Sequence, residues 1–265
     1  MSILQKKTNL EKACERELAY VVRQEAHLAK SARKDPPRWK AALAEKVPEK
    51  LYDSLQAAFG RAFGMIVQQG RPLLEKLCGK NDLILQAQVQ DYAIRLTESR
   101  KELKKLRKSA GKANFRNSAL TAAEGIGLGA LGIGLPDIVI FLAVLMKGAY
   151  ETALRYGYDC DSPREQKLIL QMMEAALAGG DSWAEANAGV DSALTDRTDI
   201  SPAAVEEQIR RTADAFAMEL LVLKFIQGLP IVGIAGGLGN PVYYSKIMNY
   251  IQLKYYKRYL LELGK

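Results

Sequence analysis

The stretch AAEGIGLGALGIGLPDIVIFLAVLM, residues Ala122–Met146, is apolar enough for a membrane, yet it is crowded with glycine and interrupted by proline. A second stretch of the same kind, FIQGLPIVGIAGGLGNPVYYS, spans Phe225–Ser245. Glycine costs a helix interior about 1 kcal/mol and proline about 3 kcal/mol, so neither stretch is typical of a plain helix. Their composition favours segments in which a neighbouring backbone approaches closely.

The glycine spacing supports this interpretation. Gly125 and Gly129 form one G-x-x-x-G pair, and Gly233 and Gly237 form another. Such a pair leaves two bare patches on one face of a helix, where a second helix can pack at short range. We therefore predict that the two glycine-rich segments are helical and pack closely against each other.

Neither stretch predicts a transmembrane helix. The uncharged run between Lys224 and Lys246 is as long as the roughly 20 residues that a transmembrane helix requires. Its prolines and glycines, however, would leave backbone groups unpaired in lipid, at a cost of several kcal/mol each. In the first stretch, Glu124 and Asp137 divide the apolar length, and a carboxylate at bilayer depth costs about 3 kcal/mol or more.

Composition predicts an ordinary folded protein with acidic partners. Of the 265 residues, 26% are charged and 48% hydrophobic, and the formal net charge is +8. A basic protein favours phospholipid headgroups or nucleic acid. The three cysteines contain no C-x-x-C pair, which indicates neither a disulfide framework nor a zinc site. The N-terminus lacks the apolar core of a signal peptide, so we expect a cytoplasmic protein.

The fold class follows from periodicity. Apolar residues recur at spacings of three and four almost throughout, and alternating β-branched runs are nearly absent. We predict an all-α, multi-helix bundle with an N-terminal helical region over residues 1–112 and a glycine-rich core over 113–265, the two being continuous as one domain. The predicted helices cover about 10–31, 39–46, 51–69, 81–110, 163–178, a segment capped by Ser182, 202–225 and 242–263.

Several motifs resemble the EcsC family. They are the run EGIGLGALGIGLPDIVIFLAVLMKGAYETALRYGYDCDSPREQKLILQM, then ALTDRTDI, then KFIQGLPIVGIAGGLGN, and finally a tyrosine-rich Y-x-K-R-Y-L helix. The resemblance covers Asn114 to Leu261 in order. The family takes its name from a protein encoded beside an ABC transporter. The resemblance implies a cytoplasmic, membrane-associated helical protein, and it supplies no catalytic residues.

The unusual acidic residues form a candidate polar centre. An acidic group in an apolar, glycine-lined neighbourhood must pair with a cation, shift its pKa upward or bind a metal ion. Pairing, with Arg197, Lys147 or Lys224 as the cation, is the simpler alternative; a carboxylate cluster holding a hard metal is the other. We predict no cofactor. The candidate residues are Glu124, Asp137, Asp196, Arg197 and Asp199.

Two basic segments fit a membrane surface. One precedes the first glycine-rich segment, and the other interleaves lysine and arginine with tyrosine, a combination that suits the headgroup boundary. A solvated helix face is the alternative. Nucleic acid is not expected as a partner, because no nucleic-acid-binding motif accompanies the charge. The candidate membrane- or partner-binding residues are Lys104, Lys105, Lys108, Tyr255, Lys257 and Arg258.

Two function classes follow. The first is a noncatalytic accessory protein, peripheral to the inner face of the cell membrane, that acts with a membrane protein such as an ABC transporter. The second is a carboxylate-dependent, metal-assisted hydrolase acting on lipid or another apolar substrate, with Glu124, Asp137, Asp196 and Asp199 as ligands or acid–base groups.

Overall fold

The computed structural model of the protein describes residues 7–33, 49–68, 74, 78–111, 136–226 and 241–264. Within these ranges there are nine α-helices and no strand, which confirms the all-α prediction. The helices are α1 (Asn9–Ala32), α2 (Glu49–Gln68), α3 (Lys80–Thr97), α4 (Arg100–Ala110), α5 (Pro136–Arg155), α6 (Pro163–Leu177), α7 (Gly180–Thr195), α8 (Pro202–Ile226) and α9 (Pro241–Leu263).

Side-chain caps fix the starts of several helices. Thr8 and Glu11 form a capping box at α1, each side chain pairing with the backbone N–H of the other. The Ser162 hydroxyl accepts the N–H of Glu165 at the start of α6, where Pro163 occupies the first helical position. Ser201 caps α8 in the same way. The predicted bounds of α1, α2, α6, α8 and α9 agree with the structure to within a few residues.

The predicted single helix over 81–110 is wrong, because the chain breaks between α3 and α4. Glu98 adopts a left-handed conformation with φ of 46°, and its N–H donates to the carbonyl of Ile94. Ser99 then caps α4 by accepting the N–H of Lys101 at 3.1 Å. Ser99 and Glu102 have the S-x-x-E spacing of a capping box, so the sequence did contain a signal for this break.

The start of α7 also differs from the prediction. Ser182 does not cap the helix, because its hydroxyl donates to the carbonyl of Gly179 at 2.7 Å. The helix begins at Gly180, whose φ of 58° lies in the left-handed region that glycine adopts without strain. The two glycines therefore form the turn between α6 and α7, and Gly179 takes the N-cap position without a side-chain hydrogen bond.

The C-terminal helix α9 is the central element among the described residues. It packs against α1, α4, α5, α6 and α7, so five helices surround it. On the other side of the bundle, α8 packs against α2 and α6, while α2 and α3 both lie on α5. The first and last parts of the chain therefore pack together through α1 and α9.

An aromatic cluster joins α2, α5 and α8. The ring of Phe216 lies 5.6 Å from Phe59, 5.4 Å from Phe63 and 6.4 Å from Phe141, measured between centroids. All four rings are buried, and aromatic contacts at these distances, of which those with Phe63 and Phe141 are edge-to-face, stabilise a core beyond the burial of apolar area. Along α2 the apolar residues Leu55, Phe59, Phe63 and Ile66 recur at spacings of three and four, and all four are buried.

The glycine-rich segments lie mostly outside the described residues. Of the first stretch, residues 136–146 begin α5; of the second, only the ends belong to α8 and α9. The G-x-x-x-G pairs and the close packing predicted for them therefore fall outside the described residues. The division of the chain at residue 112 stays a prediction. Among the described residues, no helix has both the length and the hydropathy needed to cross a bilayer.

Candidate functional site

A row of lysines lies on the side of α4 that is turned away from the protein interior. Lys101, Lys105 and Lys108 are exposed and Lys104 is half-buried, and the four recur at the three- and four-residue spacing of one helix face. The opposite face is buried through Leu103, Leu106 and Ala110. We call the four lysines the basic face. It contains the predicted residues Lys104, Lys105 and Lys108.

The arginines of α4 hold the helix against the bundle. Arg100 Nε donates to Oε1 of Glu17 at 2.7 Å, and Arg107 Nε lies 3.8 Å from Oε2 of the same carboxylate. Glu17, in α1, is fully buried and also accepts the hydroxyl of Tyr256 in α9 at 2.9 Å. The Arg107 guanidinium stacks 3.8 Å from the ring centroid of Tyr20. These contacts fix the orientation of α4, so its lysines point outward.

A second set of contacts positions α4 beside α3. Gln90 of α3 donates to Oε2 of Glu102 at 3.1 Å, and Lys105 Nζ lies 3.3 Å from the same oxygen. The hydrogen bond from Gln90, and then that from Lys105, lowers the pKa of Glu102. Glu102 is thus charged at neutral pH and bonded to α3, while among the described residues Lys101, Lys104 and Lys108 form no ion pair.

Two of the predicted membrane residues lie inside the protein. Tyr255 and Arg258 of α9 are buried, and both contact the buried carboxylate of Glu165 in α6. The Tyr255 hydroxyl donates to Oε1 at 2.6 Å, and Arg258 Nη1 donates to Oε1 at 3.0 Å and to Oε2 at 2.8 Å. Arg258 also stacks 3.8 Å from the ring centroid of Tyr158. This cluster joins α6 to α9 and, as described, presents no lipid-facing surface.

Lys257 belongs to a second internal cluster. Its Nζ donates to Glu25 of α1 at 3.0 Å and to Asp191 of α7 at 2.9 Å, and the fully buried Lys254 contacts the same two carboxylates at 2.6 Å each. Burial alone would lower the pKa of Lys257, but the hydrogen bonds to Asp191 and Glu25 outweigh burial and raise it. Two lysines and two carboxylates thus link α9 to α1 and α7.

The spacing of the tyrosines in the sequence of α9 indicates that this helix is buried. Its tyrosines lie on every side of the helix, at positions 243, 244, 250, 255, 256 and 259. A helix that is aromatic or apolar on all sides is surrounded by protein or lipid and has no solvent face. The lysines and arginine then need partners inside, and the acidic residues of α1, α6 and α7 supply them.

The structure brings together only part of the predicted polar centre. Asp196, Arg197 and Asp199 are exposed in the loop after α7, and Arg197 pairs with Glu262 of α9 at 3.0 Å. The hydroxyl and backbone N–H of Thr198 donate to Asp196 and lower the pKa of Asp196. Glu124 and the side chain of Asp137 lie outside the described residues, so their pairing stays a prediction.

Two of the three candidate cations for those acids have other partners, and the side chain of the third, Lys224, lies outside the described residues. Lys147 pairs with Glu151 one turn along α5, and Arg197 pairs with Glu262 as described above. Among the described residues, no group of three or more histidine, cysteine and acidic side chains could hold a metal ion. The hydrolase alternative needs Glu124 and Asp137 together with Asp196 and Asp199, and it stays a hypothesis because the first two side chains lie outside the described residues.

The cysteines and the sole histidine offer no reactive group in the described structure. Cys14, Cys78 and Cys160 are buried free thiols. Burial raises the pKa of the Cys78 thiol to about 12 and that of Cys160 well above its usual value, which disfavours the nucleophilic thiolate. His27 is exposed on α1.

A cavity of about 440 Å³ lies between α3, α5 and α9. Its carboxylates serve as hydrogen-bond acceptors for neighbouring side chains. Asp91 accepts the hydroxyl of Tyr259 at 2.7 Å and Arg95 Nε at 2.8 Å, and Glu262 accepts the hydroxyl of Tyr158 at 2.9 Å. These contacts give Asp91 and Glu262 a structural role in joining α9 to its neighbours.

Comparison with known proteins gives a family relationship. The model of the EcsC protein family matches residues 12–260, which is most of the chain. Protein EcsC of Bacillus subtilis (strain 168) is 28% identical over 124 residues, covering 46% of this chain and 50% of that protein. The match thus spans about half the length of this curated relative. No solved structure matches the chain.

Proposed function

The chain belongs to the EcsC protein family, and from this membership and the basic face together we propose that it is a noncatalytic accessory protein of the membrane surface. It binds anionic lipid headgroups at the cytoplasmic side of the cell membrane. There it acts with a membrane protein, such as an ABC transporter. Binding is reversible and depends on charge.

The single observation that supports the proposal is that the arginines and the lysines of α4 point in different directions. Its arginines are turned inward to Glu17, whereas its lysines are turned outward. Lysine carries a compact, hydrated charge on a flexible stem, which suits contact with mobile headgroups. Each basic residue near an anionic leaflet contributes about 1 kcal/mol, so four lysines on a fixed helix face are enough for reversible binding.

The net charge supports the same partner. The chain has a formal net charge of +8, and basic residues of both α4 and α9 were predicted from the sequence to face a membrane. Lys254, Lys257 and Arg258 of α9 pair with carboxylates inside the bundle. Among the basic residues considered for a membrane surface, the exposed positive charge therefore comes from the lysines of α4. An anionic surface is therefore attracted to α4 and not to α9.

Co-sedimentation with vesicles tests the proposal. The purified protein should bind vesicles that contain phosphatidylglycerol and should bind phosphatidylcholine vesicles much more weakly. Raising the salt concentration should release it, because salt screens interactions between exposed charges over about a Debye length. Equal binding to neutral and anionic vesicles, or no binding to either at low salt, would rule out an electrostatic membrane role.

A matched pair of variants locates the contact. Changing Lys101, Lys104, Lys105 and Lys108 to glutamine should weaken binding to anionic vesicles by at least about tenfold. The control changes four exposed cations of α2 and α8 to glutamine, which removes the same charge from helices that do not pack on α4. Its residues are Lys50, Arg61, Arg210 and Arg211. If both variants lose binding equally, net charge and not the basic face is responsible.

A further inference from the structure

Helix α3 is apolar on two opposite faces. Leu83, Ala87 and Ile94 are buried toward the bundle. On the other side, four large apolar side chains recur at spacings of four, three and four, which places them in one line along the helix. Their exposed fractions are 59% for Leu85, 62% for Val89, 67% for Tyr92 and 69% for Leu96. We call these four residues the apolar stripe.

Most residues beside the apolar stripe are neutral or paired, and the exposed Asp82 lies one turn before Leu85, at its N-terminal end. Its exposed neighbours Gln86 and Gln88 are neutral, and the charge of Arg95 is balanced by Asp91, whose carboxylate lies 2.8 Å from Arg95 Nε. Isolated exposed apolar residues are normal on a protein surface. A continuous line of four in one helix is different, because such a patch marks a site of interaction with a protein or a membrane.

The stripe and the basic face lie on the same side of the molecule. Helices α3 and α4 pack against each other and both rest on α5. The faces that they turn away from α5 are therefore adjacent. The bond between Gln90 and Glu102, together with the contact of Lys105 with Glu102, marks the boundary between the two helices. A row of apolar side chains thus runs beside a row of lysines.

We infer that the apolar stripe is the part of this surface that enters an anionic bilayer, at the boundary between headgroups and acyl chains. The inference rests on the proposed function and adds the contact that holds the protein at the membrane once charge has attracted it. Apolar side chains beside lysines are the composition of helices that lie in the membrane interface. Tyr92 adds a ring with a polar end, which is favoured at that depth.

Charge complementarity favours lipid over a second copy of the chain. Two copies that paired through their apolar stripes would bring their basic faces near each other, and like charges at close range oppose association. Four side chains also fall well short of the roughly 20–30 residues per partner in a stable protein interface. An anionic bilayer, in contrast, accepts the apolar stripe and the lysines at the same time.

An environment-sensitive fluorophore tests the inference directly. Because the native thiols are buried, a cysteine introduced by Val89→Cys can be labelled selectively with the nitrobenzoxadiazole (NBD) group. Vesicles of phosphatidylglycerol and phosphatidylcholine should shift its emission to the blue and increase its intensity. The same label at Arg61→Cys, exposed on α2, should not respond. A label at residue 89 that stays in water while the protein is bound overturns the inference.

Apolar-to-polar variants give the second measurement. Leu85→Gln and Leu96→Gln change exposed residues, so thermal stability should be retained, and together they should weaken binding to anionic vesicles by about tenfold. Unchanged binding would overturn the inference while leaving the proposed function intact, since the wild-type protein would still bind. A wild type that binds no anionic vesicle removes both. A blue shift that appears without vesicles and grows with protein concentration assigns the apolar stripe to a second copy instead.

Discussion

At the scale of single residues, Glu165 and Arg258 form an ion pair in which both side chains are buried. The two nitrogen–oxygen contacts at 3.0 and 2.8 Å lie beside a hydrogen bond from Tyr255. Removing one partner of a buried pair leaves an uncompensated charge in a medium that solvates it poorly. Mutation of Glu165 should therefore be far more damaging than mutation of a surface acid.

Glu165→Gln should lower the free energy of unfolding by about 3–5 kcal/mol, because Arg258 loses its buried counter-charge and keeps only the longer contact, 3.4 Å, with the partly exposed Glu262. Urea denaturation followed by circular dichroism measures the change. Glu207→Gln is the matched control, since Glu207 pairs with Arg210 at the surface and should leave the stability unchanged within error. A small effect at Glu165, comparable with that at Glu207, would show that the pair does not hold α6 to α9.

The hydroxyl of Tyr156 permits a pH prediction. Burial raises the pKa of Tyr156, and among the described residues the hydroxyl has no hydrogen-bond partner. The pKa of Tyr156 is therefore higher in the folded state than in the unfolded state, where it is about 10. The protonated Tyr156 contributes fully to stability below about pH 10, and this contribution is lost as the pH rises further. Tyr156→Phe should therefore leave stability at pH 7 unchanged and make its decline above about pH 10 shallower, by about 1.4 kcal/mol per pH unit.

Unfolding free energies measured from pH 8 to 12 check this change of slope. Burial also raises the pKa of Tyr255 and of Tyr256, so the wild type should lose stability steeply in alkali. A decline in Tyr156→Phe that is parallel to the wild type, or a large loss of stability at neutral pH, would contradict the assignment of this hydroxyl as buried and unpaired.

From the sequence, basic residues at the surface could not be told from basic residues paired inside the protein. Lys104, Lys105 and Lys108 were predicted to bind a membrane or partner; they lie on the outer side of α4, and their role stays a prediction. Tyr255, Lys257 and Arg258 have the same local pattern but lie inside the bundle. Their partners Glu165, Glu25 and Asp191 are distant in sequence, so residue type alone could not distinguish an internal ion pair from a membrane contact.

At the scale of helices, the turn between α3 and α4 sets the orientation of the proposed membrane surface. Glu98 is the single non-glycine residue with positive φ among the described residues, and it ends α3 so that α4 can fold back onto it. A left-handed conformation costs an L-residue roughly 1–2 kcal/mol, part of which glycine recovers. The packing of α3 and α4 therefore holds Glu98 in a backbone conformation that an L-residue disfavours on its own.

Glu98→Gly should raise the free energy of unfolding by about 0.5 kcal/mol, because glycine adopts positive φ without steric conflict. Glu98→Val should lower it, since a branched side chain is poorly accommodated there. Thermal denaturation of both variants measures the difference. If valine is tolerated as well as glycine, the helix is continuous through residue 98, as the hydrophobic periodicity alone predicted.

Helix bounds were predictable where capping signals were recognised and less so elsewhere. Ser162 and Ser201 marked the starts of α6 and α8 correctly. Ser99 gave the same kind of signal before α4. It lies inside a segment with continuous helical periodicity, however, and that periodicity predicted one uninterrupted helix. Ser182 gave a false signal, because the positive φ of Gly180 allows the helix to begin at Gly180, three residues before the start that a Ser182 N-cap implies.

At the scale of the whole molecule, α9 connects the N-terminal and C-terminal parts of the chain. It contacts α1 through Glu17 and Glu25, and it contacts α6 and α7 through Glu165 and Asp191. The helices of residues 1–112 therefore depend on α9 to cover their apolar faces and to pair buried charges such as Glu17. The all-α class was predictable from periodicity, whereas this central position depends on contacts between residues far apart in sequence.

A fragment of residues 1–112 should fail to fold on its own. Without Tyr256 and the rest of α9, the carboxylate of Glu17 and the apolar residues Cys14 and Val21 would be exposed to water. Nuclear magnetic resonance of the fragment should show narrow amide dispersion, and the full chain should unfold in one cooperative transition. A dispersed spectrum for the fragment would instead show that the predicted N-terminal region is an independent domain.

The central claim is that the protein meets an anionic membrane through α3 and α4. The most direct test is photo-cross-linking, with p-benzoylphenylalanine placed at Lys105 or at Arg61 and irradiated in the presence of phosphatidylglycerol vesicles. Mass spectrometry should detect lipid adducts on the variant with the probe at position 105 and essentially none on the variant with the probe at 61. Adducts of equal yield at both positions, or adducts confined to position 61, would contradict the account.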